Sequence, residues 1–191
     1  MNKTLLKSAL QYIIELVHII VISLAIIIPI RYFLIQPFYV KGASMEPNFY
    51  DHEYLIIDEI SYRIREPKRG EIVVFKYPND PSQYFIKRIV GMPGETVEIK
   101  DGRVRIYPQN SLVGYYLNES QYLSNVETVS EKKFQIAENE YFLMGDNRPS
   151  SLDSRVFGPV QDKLIVGKVW LRGWPMTKFR IFHTPEYNLI Q

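Results

Sequence analysis

Residues 16–30 read LVHIIVISLAIIIPI, with no formal charge and only His18 and Ser23 clearly polar. Carried back to Ser8, the run spans 23 residues (8 to 30) broken by one carboxylate, Glu15. About 20 apolar residues in helix cross a bilayer core. The segment fits that requirement, with Glu15 and Arg31 placed to reach the two surfaces and Tyr12, Tyr32 and Phe33 at interfacial depth. Pro29 then falls in the last turn of the helix, where a break does little harm. A buried helix of a soluble domain is rarely so uniformly rich in isoleucine. A cleavable signal peptide has an apolar core of roughly 7–15 residues and then a small-x-small site; here the core is longer and RYFLIQPFYV follows it. One uncleaved anchor within residues 1–35 is the expectation, with no later stretch long enough for a second span. Lys3, Lys7 and the amino terminus stand against Arg31 and Lys41, so counting cations leaves the orientation balanced.

The remainder, 36–191, has a different texture: short β-rich runs divided by turn signals. Residues 53–59, 71–77, 84–90, 95–100, 103–107, 140–144 and 164–170 read as strands, and Asp101-Gly102 between two alternating runs is a hairpin signal. Pro78, Pro81, Pro93 and Pro149 lie between runs, where proline does not interrupt a ladder. The pattern predicts a mostly β chain: an N-terminal transmembrane helix followed by a folded antiparallel sheet or partial barrel. Residues 108–133, rich in Ser, Asn, Tyr and Glu, read as a small inserted lobe, either solvated or a flap over substrate. A net charge of +2, scattered along the chain, gives no footprint for nucleic acid. The absence of cysteine excludes disulfides, thiolate metal sites and a cysteine nucleophile.

Within VKGASMEPNF (40–49), Ser44 stands at a turn between small residues and Met45-Glu46-Pro47. A serine hydroxyl is a weak nucleophile until a base takes its proton. The three histidines are poor partners: His18 lies in the apolar helix, His52 in a polar turn, and His183 in a loop near the C-terminus. The serine is not in a G-x-S-x-G elbow either. A lysine can serve if its pKa falls from about 10.4 to about 8, which takes roughly 3 kcal/mol of destabilisation of the charged form. Lys68, Lys76, Lys100, Lys132 and Lys133 all look solvated. Lys87 differs, because alternation through YFIKRIV puts Phe85, Lys87 and Ile89 on one face and Tyr84, Ile86, Arg88 and Val90 on the other. Lys87 is therefore either a poorly hydrated amine, with Arg88 adding positive potential from the opposite face, or a side chain that snorkels from an edge strand.

A third polar cluster, GDNRPSSLDSR (145–155), follows the strand at 140–144. It lacks the central glycine and terminal glutamate of a calcium loop. Two readings stay open: a structural knot pairing Asp146 or Asp153 with Arg148 or Arg155, or a site loop in which a hydroxyl such as Ser151 orients a nearby lysine.

Taken in order, SMEP (44–47), RGEIVVF (69–75), IKRIVGMPGE (86–95) and GDNRPSSLDSR (145–155), behind a membrane segment, closely resemble the bacterial type I signal peptidase family in its Gram-positive-like, single-anchor form. The resemblance covers most of the chain from the anchor to about Val169. It implies a serine endopeptidase that removes signal peptides from exported preproteins after small residues, of Ala-x-Ala type, and that uses neither cofactor nor metal. It implies Ser44 as nucleophile and Lys87 as general base, with Ser151 orienting the lysine, Asp153 and Arg155 as a bracing ion pair, and Asp146 and Arg148 in nearby structural places. The Ser44 backbone N–H is implied as an oxyanion donor, and Gly42 occupies a position where some members carry an assisting serine hydroxyl. It also implies a catalytic domain outside the cytoplasmic membrane with the N-terminus inside, in contact with lipid and near the export machinery. This chain departs from the family in having Asn48-Phe49 where Thr-Leu is usual, and Asp51-His52 where Gly-Asp is usual. Phe38, Tyr39, Phe49 and Tyr50 are expected either at the membrane interface or in the core. Two rivals remain: a self-cleaving Ser-Lys protease of the repressor type, which would carry a DNA-binding helix-turn-helix, and a catalytically silent anchored β domain acting as a binding module.

Overall fold

A computed structural model describes residues 3–33, 35–123, 127–128, 130–185 and 187, with side chains described among these for residues 10–28 and from 37 onward. The chain divides into two compact units, Met1–Gln36 and Pro37–Gln191.

The first unit is helix α1, Lys3–Phe33. At 1.5 Å per residue its 31 residues extend about 46 Å. Leu10–Ile28 is long and apolar enough to cross a membrane, and none of it is buried. The leucines, isoleucines and valines of this stretch are exposed on every side of the helix. The helix runs on to Phe33, so Pro29 lies one turn inside the end rather than in the last turn.

The second unit is built from strands. In chain order they are β1 (Ile35–Tyr39, beginning two residues before the division), β2 (Tyr54–Asp58), β3 (Ile72–Tyr77), β4 (Asp80–Gly91), β5 (Thr96–Lys100), β6 (Arg103–Tyr107), β7 (Tyr115–Tyr116), β8 (Lys132–Gln135), β9 (Glu140–Met144), β10 (Val160–Gln161), β11 (Ile165–Trp174) and β12 (Arg180–Ile181). Two four-residue helices, α2 (Ser61–Ile64) and α3 (Ser154–Phe157), lie in the connections. The larger sheet runs β1-β2-β11-β3-β4-β9-β10, with β12 beside β11; the smaller runs β7-β6-β5-β8. The pairs in register are antiparallel.

Alternation explains both sheets. Along β3, Ile72 and Val74 join a core with Met45, Phe49, Leu55 and Ile57, while Val73 and Phe75 join the opposite core with Ile89, Leu143 and Val160. A strand buried on both faces reads as a continuous apolar run, which IVVF is. In the smaller sheet Val97, Ile99, Val104 and Ile106 point inward against Val90, Phe142 and Met144. The β5–β6 hairpin turns at Asp101-Gly102 with φ of 49° and 72°, the left-handed pair that a tight two-residue turn needs. The smaller sheet takes in β5 and β6 as well as strands from the 108–133 excursion, so the second lobe is larger than that excursion.

Candidate active site

Ser44 opens a tight turn that its neighbours pin to the core. Asn48 N and Phe49 N donate to Met45 O at 3.0 and 2.9 Å, while Met45 and Phe49 are 1% and 0% exposed. Phe49 packs on Phe182 with ring centroids 4.5 Å apart, so of its two expected places it takes the one in the core: the ring anchors the turn. The Ser44 backbone is also stitched to the loop after β9, because Asn147 N donates to Ser44 O at 3.1 Å and Asn147 Nδ2 donates to Ala43 O at 3.0 Å. Gly42 has φ +86° with open space where a Cβ would sit, and its N–H donates to Asp51 Oδ1 at 3.0 Å. Among the described residues the Ser44 N–H is spent on no backbone hydrogen bond.

Lys87 sits opposite Val73 in the β3–β4 ladder and is 3% exposed. Its Nζ lies 2.7 Å from Ser44 Oγ and donates to Ile86 O at 2.9 Å, with the Phe85 ring centroid 5.4 Å away. Burial excludes the snorkelling alternative. It also pushes the amine down to about 8; Asp153 and Asp146 oppose that shift and Arg155 assists it. Arg88 does not supply the neighbouring positive charge expected from the sequence. Its guanidinium is held on Asp146 by two hydrogen bonds, Nε to Oδ1 at 2.8 Å and Nη2 to Oδ2 at 2.7 Å, and the assisting cation is Arg155.

The 145–155 loop supplies the surrounding charges. Arg155 Nε and Nη2 each donate to Asp153 at 2.8 Å, and Gly145 N donates to Asp153 Oδ2 at 3.0 Å. Burial works to raise the Asp153 carboxyl, but the Arg155 guanidinium and the Gly145 N–H outweigh it and hold the group below the usual carboxylate range. This is the only ion pair within the loop among the described residues. Asp146 turns to Arg88, and Arg148 donates from Nη1 to Glu119 Oε2 at 2.9 Å and from Nη1 to Thr128 Oγ1 at 2.7 Å, both in the second lobe. The Ser151 hydroxyl is buried and leans toward Asp153 without a hydrogen bond of good geometry. The bond to Lys87 that the resemblance implies for it is not formed. His52 is exposed beside Asp51 at 3.0 Å, His183 is exposed, and neither makes a described contact with Ser44.

Sequence reasoning missed the contacts of four residues: Asn48 and Asn147, which tie the Ser44 turn to the loop, and Glu119 and Tyr122, which reach it from the second lobe. Asn147 carried a signal as part of a polar cluster, and Asn48 as a departure from the resembled pattern. The others act across sequence separations that no local pattern encodes.

A cavity of about 590 Å³ opens over the pair, walled by apolar side chains that include Phe38, Val40, Leu55, Val74, Ile86 and Leu152. A second cavity of equal volume beside Tyr62, Glu138 and Asp162 contains no serine or lysine base pair. On the cavity side, β4 is open up to Lys87, since its pairing with β9 begins at Arg88 opposite Met144. No group of histidines and carboxylates among the described residues is arranged to hold a metal.

Gly145 shows how closely the pieces fit. A Cβ there would collide with Ser151 Oγ and would lie 2.5 Å from Ser44 O and 2.6 Å from Ser151 Cβ. Gly145→Ala must displace the Ser44 backbone, the loop, or both. Misplacement by about 1 Å can cost on the order of 100-fold in rate, and a loss of that size is expected in kcat/KM. A Gly145→Ala chain that retains more than about a tenth of the activity would show that the loop gives way freely.

The chain was compared with family models, curated proteins and solved structures. A family model described as signal peptidase, peptidase S26, matches residues 13–174. A probable signal peptidase I-2 from Synechocystis sp. is 35% identical over 170 residues, covering 86% of this chain and 74% of that protein. Signal peptidase IB from Staphylococcus aureus is 30% identical over 191 residues, covering 94% and 97% respectively. A crystal structure of a signal peptidase I from Enterococcus faecalis V583 aligns at 31% identity with a TM-score of 0.43, covering 55% of this chain and 97% of that one.

Proposed function

This chain belongs to the signal peptidase family, peptidase S26, and from that premise we propose that Ser44 and Lys87 are the nucleophile and base of a membrane-anchored endopeptidase that removes signal peptides from exported preproteins. One observation carries the assignment: a buried amine, 3% exposed, lies 2.7 Å from a serine hydroxyl at the wall of an apolar cavity.

The chemistry follows from the valences. A neutral amine has one lone pair and two hydrogens. The lone pair faces the Ser44 O–H and one hydrogen bonds Ile86 O. As Ser44 Oγ attacks the carbonyl that ends the signal peptide, its proton passes to Lys87, and the tetrahedral oxyanion takes the unspent Ser44 N–H. The lysine ammonium returns the proton to the leaving amine of the mature chain. A water then loses a proton to Lys87 and attacks the ester carbonyl; the bond to Ser44 Oγ breaks, and the lysine ammonium returns the proton to that oxygen, restoring the serine and the neutral amine. Lys87 keeps one hydrogen and Ser151 keeps its lone pairs, and we assign their hydrogen bond to the substrate-bound state. Asp153 and Arg155 brace the loop that carries Ser151. Asp146 and Arg148 fix the same loop to β4 and to the second lobe. Gly42 brings no hydroxyl, so backbone or water must supply any second oxyanion donor.

The open edge of β4 suits an extended substrate paired as an added strand, with its small side chains in the apolar cavity. The anchor crosses the cytoplasmic membrane once, with the N-terminus inside and the catalytic domain outside. Ser44 follows Arg31 by thirteen residues (44 − 31), a reach of at most about 45 Å, which keeps the site near the lipid surface and the export machinery where signal peptides emerge.

Cleavage of a synthetic signal peptide in detergent, followed across pH, tests the reading. The neutral amine is the active form, so activity is lost as pH falls. With Lys87 at about 8, kcat/KM should rise tenfold per unit up to about pH 8 and level off above it. A profile flat from pH 6 to 9 would rule out Lys87 as the base.

A further inference from the structure

Asn48 follows Pro47 in the turn that carries Ser44, and its side chain reaches out of that turn in two directions. Its primary amide has two N–H groups: Nδ2 donates to Asp146 Oδ2 and to Tyr122 O, each at 2.9 Å. Its backbone is held as well, with its N–H on Met45 O at 3.0 Å and its carbonyl accepting from Arg172 Nη2. One side chain thus joins the nucleophile turn, the loop after β9 and the second lobe. Asp146 takes Arg88 Nε on one oxygen and Arg88 Nη2 with Asn48 on the other, so its charge is spread over three donors.

We propose that Asn48 is a positioning residue that holds the Asp146 carboxylate on Arg88 and away from the Lys87 amine, while tying the second lobe to the turn that carries Ser44. The proposal rests on the peptidase reading above. The groups bearing on Lys87 are Asp153 and Asp146, which favour its protonated form, and Arg155, which disfavours it. Around Asp146 stand Arg88, Arg148, Tyr122 and Tyr187, and behind Asn48 stands Arg172 with Glu53. Removing the Asn48 donor leaves Asp146 less neutralised. An anion so placed stabilises the ammonium and makes the base harder to free.

The full-length chain in detergent, with a synthetic signal peptide, provides the test. Asn48→Ala should lower kcat at pH 7 about tenfold with KM within about twofold, as loosened positioning does, and move the acid limb of kcat/KM up by about half a pH unit. Asn48→Asp, which sets two carboxylates together, should move it further. Asn48→Thr restores one donor and should fall between Ala and the native chain. The same displacement should appear without substrate in the carbon-13 titration of Lys87 Cε. If that titration does not move while activity drops equally at every pH, Asn48 only scaffolds the turn and the proposal fails; unchanged kinetics overturn it as well. A native chain that leaves the peptide uncut refutes the peptidase reading instead, and the Lys87 titration still decides this one.

Discussion

Lys87→Met should remove signal-peptide cleavage entirely while leaving a folded and somewhat more stable chain, and Ser44→Ala should match it in activity. Loss of a nucleophile or of its base lowers turnover by about 10⁴-fold or more, and members that act as a unit fail together, so the double variant should be no worse than either single one. The stability effect separates this residue from an ordinary core side chain. Burial takes the amine from its ordinary 10.5 down to about 8, and a gap of that size (10.5 − 8) corresponds to about 3 kcal/mol. The sign follows from the proton balance. Below about pH 8 the amine is charged in both folded and unfolded chains, and the folded state carries the full burial penalty. Between about 8 and 10.5 the folded amine is neutral and the penalty shrinks; above that range it vanishes. Methionine fills a similar volume without the penalty, so the variant should be more stable by up to about 3 kcal/mol at neutral pH, with the gap closing by about pH 10.5. Thermal unfolding in detergent across pH, beside peptide cleavage, measures both. Cleavage above about 1% of the native rate in either single variant would end the assignment of the pair.

The parts of this site that the sequence displays are those with a local period. Readings at 103–107 and 140–144 match β6 and β9, and 53–59 overshoots β2 by one residue at each end. In β2 and β6 every second residue is buried, which is what alternation reports. Lys87 was visible for the same reason, as a cation on a face shared with Phe85 and Ile89. β1 was hidden because Pro37 interrupts FLIQPFYV directly after the anchor. The two-residue strands β7, β10 and β12 are too short to carry a period at all. The ion pairs were hidden for a different reason. Arg88 finds Asp146 across 58 residues and Arg148 finds Glu119 across 29, while the loop itself offered nearer partners of the right charge. The sequence gives the charges but not which pairs the topology brings together, and Arg88 was therefore misread as a free cation acting on Lys87. Phe49 was legible only as either a core or an interfacial side chain, and the Phe182 ring against it decides for the core.

The Arg88–Asp146 pair carries the largest expected effect on stability. Arg88 and Asp146 are 4% and 0% exposed. Arg88 also donates to Gly70 O at 2.9 Å and lies 3.9 Å from the Tyr122 ring centroid. Arginine cannot shed its proton in a protein, so Asp146→Ala strands a charge that can neither titrate away nor reach water without opening the sheet. Breaking one side of such a buried pair costs about 3–5 kcal/mol, which in a domain of this size is a fall in Tm on the order of 10 °C. Replacing both members, as in Arg88→Met with Asp146→Leu, removes the stranded charge and should recover most of that loss, even though it deletes more of the native structure. Activity should separate from stability. Asp146 favours the protonated form of Lys87, so at temperatures where Asp146→Ala remains folded, the acid limb of kcat/KM should move to lower pH, opposite to the shift expected for Asn48→Ala. If the Tm falls as far in the double variant as in the single one, the lost stability lies in packing rather than in the uncompensated charge. If the two acid limbs move in the same direction, Asp146 does not act on Lys87 through its field.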